Sequence, residues 1–295
     1  MLGEVKALQI QRSYQENREE GTLYIVPTPI GNLDDMTIRA INTLKEADYV
    51  LAEDTRNTGI LLHHFSLKKK MISYHEHNHK SREQEIIRLL KEGHQLALVS
   101  DAGMPGISDP GYEIIQTVIG EDLPVVVLPG ASAAICGLVG SGLPTNHFYF
   151  YGFLPRRNKE RKEAINDLKK LSSTFILYES PHRLDKTMEE LYEALGNRRV
   201  SIARELTKKF EEYIRGTLQE LYERMDELVI KGECCIIVEG LNEEESMEWE
   251  DLTLKEHVEL LMAEEELSSK DAIKRVAKDR KIPKQEVYRA FHLQD

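Results

Sequence analysis

Short apolar runs, each stopped by proline, glycine or acidic residues, recur through the first part of the chain. Leu23-Tyr-Ile-Val26 stops at a Pro/Gly turn through Asn32, and Tyr49-Val-Leu-Ala52 stops at Glu53-Asp-Thr-Arg56. Met71-Ile-Ser-Tyr74 runs into His75-Glu-His-Asn-His79, Gln95–Val99 breaks at Ser100-Asp101, and Pro124–Leu128 ends in Pro129-Gly-Ala-Ser132. Runs of this length and composition, bounded by turn residues, predict strands. Between them, Ile38, Ile41 and Leu44 at helical spacing predict a helix to about Lys45, capped by Asp34 or Asp35. Further helices are expected over Ser81–Lys91 and Tyr112–Ile119, and the small-residue segment Ala133–Val139 follows the fifth strand. Strands alternating with helices describe a mostly parallel sheet whose strand ends share one functional edge. That edge gathers Pro29, Asp54, Glu76, Asp101 and Ser132. The loop after the fourth strand, Ser100 to Gly111, holds three glycines and two prolines, which permit close backbone approach and fix the turn.

A second α/β unit begins at His147. Its expected strands are His147–Pro155, Thr174–Tyr178, Arg199–Ala203, Phe210–Ile214 and Glu233–Val238, with helices over Asn158–Leu171, Leu184–Leu195 and Leu218–Val229. Ser141-Gly-Leu-Pro-Thr-Asn146 reads as the linker. The expected organisation is a flexible leader over 1–20, α/β domains over 21–140 and 147–240, and an acidic spacer with a helical extension over 241–295. In that extension Leu254–Met262, Lys270–Arg280 and Lys284–Phe291 predict three helices of helix-turn-helix type.

The net charge of −12 over 295 residues argues against a nucleic-acid partner only until its distribution is read. Glu239–Glu266 alone carries 12 acidic residues and one lysine. Arg156–Lys170 holds seven basic and three acidic residues, and Leu267–Asp295 eight basic and four acidic. RNA therefore stays open as a partner. The longest apolar stretch, Leu123–Val139, is interrupted by Pro129 and Gly130, so no bilayer span is expected. The first residues lack a secretory pattern. Cys136, Cys234 and Cys235 sit in apolar surroundings without metal-ligand spacing, as reduced core residues of a cytoplasmic protein.

The turns at Pro29–Asn32, Ser100–Gly111 and Pro129–Ser132 offer backbone amides near helix starts. None fits a Walker pattern or a dinucleotide fingerprint, and no nucleophile elbow occurs. Their prolines and apolar residues suit a neutral or cationic cofactor. His75, His77 and His79 share a face if extended, but no Cys or carboxylate cluster completes a metal site, and none is expected.

The runs Val26–Leu33, Ala52–Arg56, Ser73–Asn78, Ser100–Gly111 and Leu128–Ala133 occur in order, followed by Phe153–Pro155, Tyr178–Arg183 and Ala203–Lys208. Together they resemble the bacterial small-subunit ribosomal RNA methyltransferase I family, a branch of the tetrapyrrole methylase superfamily, from about Gly21 to Glu239. The resemblance implies two α/β domains with S-adenosylmethionine between them, usually in a homodimer. The implied acceptor is a cytidine ribose 2′-hydroxyl in the decoding region of 16S rRNA or the small ribosomal subunit. Ile30, Asp101, Met104, Ser132 and Ala133 are the implied cofactor contacts of the first domain, with Pro29 and Gly103 in the same turns. Tyr178, Ala203 and Gly232 are those of the second. Met104 departs from the threonine common at its position. A protonated ribose hydroxyl is a poor nucleophile, so a base is expected, and Asp54, Glu76 and Glu179 are candidates by strand-end position. Each also has a plainer role, as an ion pair with Arg56 or Arg183 or as a turn cap. Arg56, His77, His182, Arg183 and Lys208 are expected to position phosphates or the base, and Arg156 and Arg157, with the run to Lys162, to hold flanking RNA. Two alternatives stand beside this reading: a methylase acting on a tetrapyrrole or corrin ring, and a non-catalytic RNA-binding assembly factor.

Overall fold

The computed structural model describes residues 8–13, 19–76, 78–228, 230, 232–241, 252–264, 267–280 and 282–292. Strands β1 (Leu23–Ile25), β2 (Tyr49–Ala52), β3 (Lys70–Ser73), β4 (Leu96–Val99) and β5 (Val125–Val127) form a sheet in the order β3-β2-β4-β1-β5. Every pairing in it is parallel. Parallel strands carry helices on both faces, so consecutive residues are buried in opposite directions. Leu23, Ile25, Leu51, Leu96 and Leu98 pack with α3 (His79–Lys91) and α4 (Tyr112–Gly120) through Ile86, Leu90, Ile114 and Val118. Val50, Ala52, Ala97 and Val99 face α1 (Ile38–Glu46) and α2 (Thr55–His64) through Ala40, Leu44 and Leu62.

Two local readings need correction here. Helix α1 is capped by Thr37, whose side chain accepts from the Ala40 amide, while Asp34 and Asp35 lie in the preceding short 3-10 turn. Helix α2 has no counterpart among the expected elements. Its sequence, TRNTGILLHH, buries only Thr58 and Leu62 and leaves Ile60 in water, so no apolar stripe announces it. Asp54 starts it by accepting from the Arg56 amide at 2.8 Å.

The second sheet has the order β6-β7-β10-β8-β9, from β6 (Phe148–Phe153), β7 (Thr174–Glu179), β8 (Arg199–Arg204), β9 (Glu212–Thr217) and β10 (Cys234–Val238). It is mixed: β6 and β7 run parallel, and the other three pairings are antiparallel. Strand β9 begins later than expected, and Phe210 is an exposed turn residue. Thr217 then closes a capping box with Glu220 on α8 (Leu218–Arg224), which ends well before Val229. Helices α6 (Asn158–Leu168) and α7 (Leu184–Leu195) complete this half.

Helix α5 (Ala133–Ser141) follows β5 in sequence but belongs by packing to the second sheet. Ala134 and Leu138 share a core with Ile176, Ala203, Cys235 and Ile237, and Leu143 of the expected linker joins it. Of the boundary anticipated at 141–146, Ser141 and Leu143 are buried and the other four residues are exposed. Residues up to Leu168, with Ser173–Glu239, form one compact unit containing both sheets.

Lys169–Ser172 and the chain from Gly240 form the other unit. Its helices α9 (Leu254–Glu264), α10 (Ser269–Asp279) and α11 (Lys284–His292) enclose Val258, Ile273, Val276 and Val287. The acidic spacer expected from 241 lies mostly outside the described residues. Among the described residues no helix is long and apolar enough to cross a membrane.

Candidate active site

The loops after β1, β4 and β5 meet the second sheet across a cleft of about 550 Å³. Ile30 enters from the first loop, Asp101, Gly103 and Met104 from the second, and Ser132 and Ala133 from the third. Opposite them stand Phe153 of β6, Tyr178 of β7, Ala203 of β8, and Cys234 and Cys235 of β10. The first two loops are tied by a reciprocal backbone pair, Thr28 N to Gly103 O at 2.9 Å and Gly103 N to Thr28 O at 3.0 Å. The Thr28 hydroxyl also donates to Ser100 O at 3.0 Å. Gly103 holds φ +79°, a conformation glycine takes at no steric cost. The third loop is held from across the cleft, because the Ala134 amide donates to the Tyr178 hydroxyl at 3.0 Å.

Among the described residues, five carboxylates line the cleft, Glu53, Asp101, Asp109, Glu205 and Glu233, against a single lysine, Lys208. Burial raises the Asp109 carboxyl to about 7, helped by the charges of Glu53, Asp101 and Glu233 and opposed by the Ser100 hydroxyl. Burial likewise raises Glu53, which accepts from the Asp101 amide at 3.4 Å. Asp101 is fixed by Asn57, whose Nδ2 donates to Oδ2 at 2.8 Å, and by the Asp54 amide at 3.3 Å. Ser108 and Glu205 carry left-handed backbone at φ +60° and +50°, with Thr207 at +66° nearby. Such strain in non-glycine residues costs about 1 kcal/mol or more each and gathers where a site dictates the backbone. Burial also pushes the Cys234 thiol to about 11 and that of Cys235 to about 12, so both are neutral cleft walls. Cys136, expected in the core, is exposed.

The structure therefore brings together eight of the residues expected at a cofactor: Ile30, Asp101, Gly103, Met104, Ser132, Ala133, Tyr178 and Ala203. Pro29 does not reach the cleft and instead lines an adjoining groove. Gly232 lies beneath the wall, where a Cβ would stand 2.4 Å from Glu205 Oε1. Asp109, Glu53, Glu205 and Glu233 were not singled out by sequence reading. The available signals were that Asp109 shares the glycine-rich loop with Asp101, that Glu53 directly follows the second strand, and that Glu205 lies in the run Ala203–Lys208.

The three candidate bases fare differently. Glu179 is a correction: it is 1% exposed, faces Arg161 at 3.6 Å and Arg183 at 3.4 Å, and accepts from the Thr187 hydroxyl at 2.9 Å. A carboxylate sealed in such a network is a strut. Arg161, from the expected RNA-holding run, is buried in the same network and bonded to Glu190 as well. Arg183, with its side chain 30% exposed, also donates to Leu154 O at 3.1 Å. Asp54 binds Arg56 at 2.5 Å and is held down to about 2 by that guanidinium, too acidic to accept a proton readily. Glu76 sits in the exposed turn after β3, away from the cleft lining.

Among the expected RNA contacts, Arg56, Arg157 and His182 are exposed, with Arg157 paired to Glu160 at 3.1 Å, and Arg156 is also on the surface. Lys208 lines the cleft and pairs with Glu205 at 2.9 Å. His77 lies outside the described residues. Among the described residues no three His, Cys, Asp or Glu side chains converge on a metal position.

The sequence profile of the Tetrapyrrole (Corrin/Porphyrin) Methylases matches residues 22–222. A protein of Halalkalibacterium halodurans named Ribosomal RNA small subunit methyltransferase I is 52% identical, covering 97% of this chain and 99% of its own. Its namesake in Bacillus subtilis is 50% identical over 97% and 99%. In fold, the chain resembles the uroporphyrin-III C-methyl transferase of Thermus thermophilus solved with S-adenyl homocysteine, with a TM-score of 0.52 and 18% identity over 74% of this chain and 97% of that one. The chain belongs to the ribosomal RNA small subunit methyltransferase I family of the tetrapyrrole methylases.

Proposed function

We propose that this protein is an S-adenosylmethionine-dependent methyltransferase acting on the ribose 2′-hydroxyl of a cytidine in the decoding region of 16S rRNA. The observation that carries the reading is the cleft, where strand-end loops of one sheet oppose Tyr178, Ala203 and the paired cysteines of the other. The names borne by relatives at 52% and 50% identity support small-subunit RNA as the acceptor.

The cleft fits the donor in size and charge. Its volume, about 550 Å³, lies within the range of pockets that enclose a cofactor-sized ligand. Its carboxylate excess favours a cationic sulfonium and ammonium over a phosphate-bearing nucleotide. When bound, the donor supplies a methyl group already activated by its sulfonium charge. The work left to the protein is alignment and exclusion of water. Asp101, Gly103 and Met104 form one wall, Ser132 and Ala133 a second, and Tyr178 and Ala203 a third. Asp109 is the carboxylate matched to proton acceptance from a hydroxyl, since it lines the cleft and titrates near neutrality. Arg56, His77, His182, Arg156 and Arg157 provide contacts to RNA, and the protein works as a cytoplasmic homodimer.

Mapping ribose methylation in 16S rRNA from cells with and without this protein tests the reading. One cytidine 2′-O-methyl mark is expected to vanish in its absence. Unchanged ribose methylation would overturn the proposal.

A further inference from the structure

Beside the cleft lies a second, smaller groove of about 180 Å³. Pro29 and Leu33 from the turn after β1 form one side, and Asn57, Ile60 and Leu61 from α2 form the other. Asp101 lines both the groove and the cleft, so the two spaces share one carboxylate. The groove is smaller than the ~300 Å³ of a site that encloses a whole ligand, which makes it a seat for one ring of a larger molecule.

Its chemistry points to a nucleobase. Ile60 is 71% exposed and Leu33 39%, so with Pro29 they offer apolar faces left in water. An unstacked base is held by such faces on its plane and by hydrogen bonds on its edge. Asn57 gives its Nδ2 to Asp101, which leaves its Oδ1 to accept from an exocyclic amine such as N4 of cytosine. Arg56, next in sequence, has a side chain 87% exposed and supplies a cation for an adjoining phosphate. From the other half of the unit, Lys208 packs against Gly31 at the same turn: a Cβ on Gly31 would lie 2.5 Å from Lys208 Cγ and 2.9 Å from Leu206 O. The groove's own lining comes from the first half, and Lys208 stands beside the turn that forms one of its sides.

Resting on the reading of the chain as an RNA ribose methyltransferase, we propose that this groove seats the base of the target nucleotide, extruded from its RNA, so that its ribose meets the donor cleft at Asp101. The groove sets which nucleotide is presented, and the cleft supplies the methyl group.

The test uses the full-length protein with S-adenosylhomocysteine in the cleft and cytidine 5′-monophosphate as the probe. Methyl NMR should show the probe shifting Leu33, Ile60 and Leu61. Ile60→Glu should weaken probe binding and raise the KM for RNA by about tenfold or more, the equivalent of about 1.4 kcal/mol. Calorimetric affinity for S-adenosylhomocysteine should stay within about twofold, and Ile60→Leu should restore both acceptor measurements. Shifts confined to other surfaces, no shifts at all, an unchanged KM in Ile60→Glu, or a parallel loss of donor-site affinity would each overturn the proposal. Because binding is read without turnover, a probe that seats in the groove supports the subsite even if no 2′-O-methyl product forms; that result would overturn only the acceptor chemistry.

Discussion

The Ala134 amide, at the first turn of α5, donates to the Tyr178 hydroxyl on β7 at 3.0 Å. This contact fixes the loop carrying Ser132 and Ala133 against the opposite wall of the cleft. The Tyr178 ring is itself held edge-on by Phe150 and Phe153, with centroids 5.1 and 5.6 Å away. Tyr178→Phe keeps that packing and removes only the acceptor. It should cost about 1 kcal/mol in urea unfolding, as for one partly buried hydrogen bond. Donor affinity measured by calorimetry should fall several-fold, because the freed loop must be ordered on binding.

Asp109 predicts a pH dependence of stability as well as of rate. Its carboxyl titrates at about 7 in the folded protein, against 3.8 for an ordinary aspartate. Between those values the folded state holds the proton more tightly than the unfolded one, so stability falls as pH rises from about 4 to 7. Asp109→Asn removes this contribution. The variant should be more stable than the parent at pH 8, by about 1–2 kcal/mol, with the difference shrinking toward pH 4. The parent's single-turnover methyl-transfer rate should rise with pH through about 7 and level off, and the variant should lose that inflection.

Glu179→Gln separates a strut from a base. Removing the charge leaves Arg161 buried without its carboxylate on that side. Loss of one partner of a buried pair typically costs about 3–5 kcal/mol. Glu190 also contacts Arg161, so the lower end is expected here. Thermal unfolding should show the loss, while the single-turnover rate per folded molecule should stay near that of the parent. A rate collapse in fully folded variant would restore Glu179 to the chemistry.

Gly31→Ala tests the crossing of the two halves. The new methyl group must displace the Leu206 carbonyl as well as the flexible Lys208 side chain. Removing the lysine alone should therefore not rescue it: Gly31→Ala and Gly31→Ala with Lys208→Ala should both lose donor affinity in calorimetry.

The first sheet was readable because strands buried on both faces appear as unbroken apolar runs, as in Leu96–Val99. The cleft was readable from the turns that end those strands. Other features depended on contacts distant in sequence. Asp109 acquires its character from burial and from Glu53 and Glu233, which lie far from it in the chain. Helix α2 escaped notice because it leaves Ile60 exposed where an amphipathic pattern would bury it. Arg161 was misread as part of a basic surface although Ala164, Ile165 and Leu168 place it on the buried face of its own helix. There the spacing was informative, and the charge count obscured it.

The packing of α5 bears on how the chain is made. Its buried face meets β10, where a Cβ on Gly137 would stand 2.9 Å from Cys235 Sγ. Strand β10 is the last of its sheet in sequence yet lies between β7 and β8. During synthesis α5 emerges about 90 residues ahead of that strand, a wait of about 5–20 s at ~5–20 residues per second. Through that interval the nascent chain carries an apolar helix without its sheet, and the second sheet has a gap at its centre. A fragment ending near residue 140 carries α5 with no strand of that sheet at all, so the N-terminal half made alone is expected to aggregate while the same residues in the whole chain fold.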